Sequence, residues 1–104
     1  MTFDEFDIFQ ANLWNEVIRM KDTKGKEYAN STDRFANFNR LAEQLNLSNI
    51  QVAWVYTAKH LDAISSYCRT ERTFSEEGMR GRIVDAIVYL TLIAGMIEGK
   101  EKKK

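Results

Sequence analysis

The spacing of apolar residues limits this chain to one class of fold. Apolar side chains recur three and four residues apart along almost all of its 104 residues, and no proline interrupts them. Such spacing places apolar residues on one face of an α-helix, whereas a half-buried strand requires strict alternation. The dipeptides that mark two-residue β-hairpins do not occur in the sequence. We therefore predict an all-α fold, and the length predicts a single domain over 1–104.

The first helix is predicted over residues 3–20. Thr2 and Glu5 have the spacing of a capping box, which favours a helix start at this point. The helix carries a broad aromatic face, which either packs deeply or forms a contact between copies of the chain in an oligomer. The segment 21–31 is polar and contains Gly25, so we predict a loop of about ten residues there.

Two further helices follow this predicted loop. The second is expected to start near residues 31–32 and to stop at Asn46 and Leu47. Ser48 and Gln51 form another capping-box pair, which predicts that a third helix starts there and extends to residue 69.

The fourth helix is predicted to start between Ser75 and Gly81 and to end at Gly99. It is apolar almost all round, which is typical of the central helix of a bundle. Gly95 is small enough to permit a close helix crossing, at a cost of about 1 kcal/mol in helix propensity. Residues 99–104 then form a short basic tail, of the kind that is usually a solvated helix end.

Composition argues against several classes of protein. The net charge is zero, so nothing indicates a nucleic-acid partner. Cys68 is the single cysteine, which rules out an intramolecular disulfide and fits a reducing compartment. No apolar run approaches the roughly 18 residues of a membrane-spanning helix, and the acidic N-terminus is unlike a signal peptide. We therefore expect a cytoplasmic protein without a membrane partner.

Charged residues on the third and fourth helices are candidates for chemistry. Lys59, His60 and Asp62 lie within one turn, and Arg82 precedes Asp85 by three residues. Asp62 is two positions from His60 and points to a different side of the helix, so these two do not form a dyad. Asp85 begins a long apolar run. It lies either at a solvated rim or in an inward pocket with a partner, because an unpaired buried carboxylate costs several kcal/mol.

Cations also gather in the connections before the second and fourth helices. Arginines near helix starts, together with Tyr28 as a stacking surface, suit a phosphorylated ligand that carries a base. The alternative is a solvated rim without a ligand. These cations are Lys21, Lys24, Lys26 and Arg34 in the first set and Arg69, Arg72, Arg80 and Arg82 in the second.

Three runs of sequence resemble a known family: KGKEYANSTDRFANFNRLAEQL, VYTAKHLDAISSY and GRIVDAIVYLTLIAGMIE. They are similar to small phage and prophage proteins of the nucleotide modification associated domain 1 family, over residues 22–98. That family looks like a distant relative of the all-α, MazG-like nucleotide pyrophosphohydrolases. The resemblance implies a four-helix bundle, and those enzymes bind Mg²⁺ through carboxylates on two helices. The matching residues are Tyr28, Phe35, Asn37, Phe38, Lys59, His60, Arg82, Asp85 and Tyr89.

The sequence departs from the family at the metal site. Arg82 stands where the relatives have the leading Glu of one ligand set, and only Asp62 and Asp85 are candidate metal ligands, with Glu76, Glu77 or Glu27 as possible additions. Two carboxylates are few for Mg²⁺. The cations would instead meet phosphate directly.

The resemblance therefore favours a phage-type protein that binds a nucleotide or nucleotide-derived signal without turnover, as a sponge for a host immune messenger, with no cofactor. A Mg²⁺-dependent nucleotide pyrophosphohydrolase and a protein-binding inhibitor module are the alternatives. The expected ligand-binding residues are Lys24, Lys26, Tyr28, Arg34, Phe35, Asn37, Phe38, Lys59, His60, Arg82, Asp85 and Tyr89.

Overall fold

The computed structural model describes residues 1–28, 33–72 and 78–102, with only the backbone of 24–28. The described residues form four helices and no strand, so the predicted all-α class is confirmed. None of these helices is both long and apolar enough to cross a bilayer. The helices are α1 (Phe3–Tyr28), α2 (Ala36–Leu45), α3 (Asn49–Thr70) and α4 (Met79–Lys102).

Helix α1 is longer than the sequence predicted. It continues to Tyr28, so the loop predicted over 21–31 is wrong for 21–28, and 29–32 lie outside the described residues. The lysines and Glu27 of this segment are good helix formers, and one glycine costs only about 1 kcal/mol. Arg34, which precedes α2, also contacts this part of α1, because its Nη2 donates to the backbone carbonyl of Lys21 at 2.6 Å.

Helix α2 begins later than predicted, at Ala36. Asp33 Oδ1 accepts the backbone N–H of Phe35 at 2.9 Å, and this local bond offers the backbone an alternative to helix. The predicted stop at Asn46 is confirmed, because Asn46 adopts a left-handed conformation with φ 56°. The capping box of Ser48 and Gln51 at the start of α3 is also confirmed, with both of its hydrogen bonds present.

The core has two parts, and α4 belongs to both. Helix α4 packs against α3 on one side and against α1 on another, as expected of the central helix. Leu92 packs against both clusters of buried residues. The larger cluster joins α2, α3 and α4 and consists of Phe38, Ala42, Val52, Ala53, Tyr89 and Met96. The smaller one joins α1 and α4 and consists of Val17, Val84 and Val88.

Two glycines of α4 differ from their predicted roles. A Cβ added at Gly95 would lie 3.3 Å from Cζ of Phe35. The nearest group is therefore this ring and not the backbone of a crossing helix. Gly99 does not end α4, which extends to Lys102. The ion pair between Lys102 Nζ and Glu98 Oε1, at 3.5 Å, spans Gly99 and supports this last turn. The start of the predicted basic tail is therefore helical.

The aromatic face of α1 is mostly uncovered. Residues 1–12 are exposed, and Phe3 keeps 92 % of its surface accessible. Trp14 is also exposed, whereas Val17 is buried against α4. The prediction that this face packs deeply is therefore wrong for the N-terminal half of the helix.

Candidate functional site between α3 and α4

Four of the predicted site residues meet where α3 packs against α4. His60 comes from α3, and Arg82, Asp85 and Tyr89 come from α4. The α4 residues are three and four positions apart, which places them on one face of the helix. His60 follows Tyr56 by four positions on α3, so these two also share a face. Both faces turn toward the same helix–helix contact, and the charges and rings meet there.

His60 lies between a guanidinium and a carboxylate. Arg82 Nη1 is 3.4 Å from His60 Nδ1, and His60 Nε2 is 3.8 Å from Asp85 Oδ2. A guanidinium only donates, so Nδ1 must accept in this contact. A neutral His60 then carries its proton on Nε2, facing the Asp85 carboxylate. The contact with Arg82 therefore favours this tautomer of the ring.

The burial of this cluster shows whether Asp85 lies at a solvated rim or in an inward pocket. Asp85 and His60 each keep only 8 % of their surface accessible, and Arg82 is half-buried. Asp85 therefore points inward and has a partner, and the solvated rim is wrong for it. A buried carboxylate is stable only with partners that replace its water.

Aromatic rings connect the cluster to the protein surface. The ring of Tyr89 stacks on His60, with centroids 5.6 Å apart, and on Tyr56, with centroids 5.8 Å apart. Phe38 meets both tyrosines edge-on. Tyr56 is 38 % exposed, so one end of this ring stack reaches solvent while the other lies on the buried imidazole.

Tyr56 was missing from the residues expected to bind a ligand. Its position four residues before His60 was the available signal, because this spacing puts both rings on one side of α3. The sequence could not show that Tyr89 would lie against both rings, since that contact depends on how α3 and α4 pack.

Other predicted site residues are not brought to this cluster. Lys59 is exposed on α3 next to His60, whereas Arg34 contacts the backbone of Lys21. Asn37 accepts from Arg40 Nη2 at 2.7 Å on α2. Phe35 packs against Gly95, and Phe38 is the α2 residue that touches the ring stack. The side chains of Lys24, Lys26 and Tyr28 lie outside the described residues.

The two candidate metal ligands differ in their exposure to solvent. Asp62 is exposed on α3, whereas Asp85 is buried against His60. Within 1–23, 33–72 and 78–102, no three His, Cys, Asp or Glu side chains group closely enough to hold a metal ion. Glu76 and Glu77, like the side chain of Glu27, lie outside the described part of the chain.

A groove lies between α1 and the start of α4, apart from this cluster. Its volume is about 390 Å³, and it is lined in part by Glu16, Arg19 and Gly81. Glu16 Oε2 binds Arg80 Nε at 2.6 Å. The pairing of these opposite charges leaves little net charge at this edge of the groove.

No family model, curated protein or solved structure matches this chain. Conclusions about function therefore come from the chain's own residues, and the likeness to phage nucleotide-modification proteins stays a hypothesis from the sequence.

Proposed function

We propose that the protein binds a phosphorylated nucleotide or a nucleotide-derived signal at the α3–α4 cluster and holds it without turnover. The observation that carries this proposal is the juxtaposition of Arg82 and His60 with a stack of rings that reaches the surface at Tyr56. Nucleotides combine an anionic phosphate with an aromatic base, and this arrangement offers a partner for each.

Each residue has a role in the proposed complex. Arg82 is half-buried, so an approaching phosphate has access to a guanidinium whose fork geometry matches phosphate oxygens. Lys59 adds a second cation on the adjacent exposed surface of α3. Tyr56 supplies the stacking surface for the base. Asp85 acts through His60, since it favours the tautomer whose Nδ1 accepts from Arg82 and so orients the guanidinium.

Binding without turnover is the favoured form of this proposal. A Mg²⁺-dependent pyrophosphohydrolase needs several carboxylates on one metal, and such a group does not occur among the described side chains. The wider proposal, following the sequence resemblance, is a homo-oligomeric phage-type protein in the cytoplasm of a bacterial host, where it sequesters a signalling nucleotide.

A protein-binding role for α1 is the second candidate, and a specific observation favours it. Phe3 and Trp14 are exposed on a helix whose first three turns have little cover. Exposed aromatic groups of this kind mark protein contacts. This role predicts that nucleotides leave the thermal stability of the protein unchanged.

Calorimetric titration with nucleoside mono-, di- and triphosphates and cyclic dinucleotides tests the proposal. Arg82→Ala should weaken the best ligand by about 1.5–3 kcal/mol, or roughly 10–150-fold in Kd, because it removes a charge-assisted hydrogen bond. Arg40→Ala is the matched control, since Arg40 is exposed on α2 and bonds to Asn37.

Full affinity of the Arg82→Ala variant would contradict the proposed site, and the absence of binding by every nucleotide would contradict the proposed function. The same samples, incubated with Mg²⁺ and analysed by chromatography, distinguish binding from hydrolysis. Release of pyrophosphate or monophosphate would establish the enzymatic alternative instead.

A further inference from the structure

Helix α4 carries an apolar stripe that the other described residues leave largely uncovered. The stripe follows a four-three spacing, which is the seam pattern of paired helices. Ile83, Leu90 and Ile97 keep 36 %, 46 % and 43 % of their surfaces accessible, although they belong to the central helix of the bundle. The α4 stripe consists of Ile83, Leu90, Ala94 and Ile97, which are exposed, and Ile87, which is half-buried at its edge against the α1–α4 cluster.

The packing of the four helices does not explain why α4 is apolar almost all round. Helix α4 is apolar almost all round, and helices of this kind are normally buried on every side. Helix α3 covers Asp85 and Tyr89 on one side, and α1 covers Val84 and Val88 on another. Among the described residues, no helix packs over the α4 stripe, so its apolar character is unexplained unless something covers it.

We infer that a second copy of this chain covers the α4 stripe, with the two α4 helices antiparallel and Leu90 at the two-fold axis. The stripe is symmetric about Leu90, because Ile83 precedes and Ile97 follows it at equal distances along the helix. A two-fold contact requires this self-complementarity, since each surface patch meets its own copy.

The charges beside the stripe favour the antiparallel direction. Arg80 lies at the N-terminal end of α4 and Glu98 near its C-terminal end, and about five helical turns separate them, so they lie on the same flank. Within its own chain Arg80 binds Glu16 and Glu98 binds Lys102, and an antiparallel pair adds Glu98 of the second copy within about one turn of Arg80. A parallel pair would instead leave Arg80 and Glu98 at opposite ends of the contact. Opposed helix dipoles favour the same direction.

Sedimentation equilibrium with two matched variants tests this contact. The wild-type chain should be a dimer or a larger assembly that contains this dimer. Leu90→Glu places two carboxylates at the axis and should raise the dissociation constant of the contact at least about 100-fold. Ile8→Glu, at an exposed residue of α1, should leave this contact intact. A monomeric wild-type chain, or an unchanged assembly of Leu90→Glu, would overturn the inference.

Cysteine cross-linking tests the direction of the pair and does not depend on the charged variant. A Cys68→Ser background is needed, because Cys68 is exposed. Leu90→Cys should form a disulfide-linked dimer under mild oxidation. Ile83→Cys should form one only when combined with Ile97→Cys. A failure of Leu90→Cys to cross-link, or efficient cross-linking of Ile83→Cys alone, would overturn the antiparallel contact.

Discussion

At the scale of single residues, His60 is the group whose surroundings say most about chemistry. It bridges Arg82 and Asp85 in a place that is nearly closed to solvent. The contact with Arg82 predicts the tautomer that carries its proton on Nε2. His60 is the only histidine of the chain, so its ring signals in an NMR spectrum need no assignment experiment. Long-range ¹H–¹⁵N spectra should show the Nε2–H tautomer, and an Nδ1–H pattern would contradict the contact with Arg82.

Asp85 provides a residue-scale test of stability. Asp85→Ala should lower the free energy of unfolding by about 1–3 kcal/mol, because it removes the carboxylate that faces a buried imidazole. Asp62→Ala is the control on α3, and its exposed side chain should change stability by less than about 0.5 kcal/mol. Urea denaturation measures both variants. Equal effects of the two substitutions would show that the burial of Asp85 has little energetic consequence.

At the scale of helices, α4 continues past Gly99, whereas Gly95 faces the ring of Phe35. Gly99→Ala should therefore stabilise the protein by up to about 1 kcal/mol through helix propensity, since a Cβ there meets no other group. Gly95→Ala should gain less or lose, because the new Cβ would lie 3.3 Å from Phe35 Cζ and the ring must shift. Thermal denaturation compares the two variants, and a larger gain from Gly95→Ala would be the opposite of this expectation.

Local signals in the sequence predicted helix boundaries well wherever one residue type dictates the backbone. The Ser48 and Gln51 pair and the stop at Asn46 are of this kind. Boundaries that depend on a balance of small propensities were predicted wrongly. Gly25 and Gly99 suggested breaks, but good helix formers on both sides outweigh a cost of about 1 kcal/mol. The turn at Asp33, after which α2 starts later than predicted, also differs little in free energy from a helical conformation.

At the scale of the whole molecule, the position of α4 between two partners creates both the site and the open face. One side of α4 brings Arg82, Asp85 and Tyr89 to His60, and another side exposes Leu90. Helical spacing in the sequence is enough to place the α4 residues of the site on one face. It could not predict which α3 residues oppose them, because the relative rotation and height of two packed helices depend on the whole core.

The measurement that tests the central proposal most directly follows the ring signals of His60 while a nucleotide is added. If the ligand binds at the α3–α4 cluster, these signals should shift and saturate with the Kd found by calorimetry, and the shift should be lost in Arg82→Ala. Calorimetric binding that leaves the His60 signals unchanged would place the nucleotide elsewhere on the molecule and contradict the proposed site.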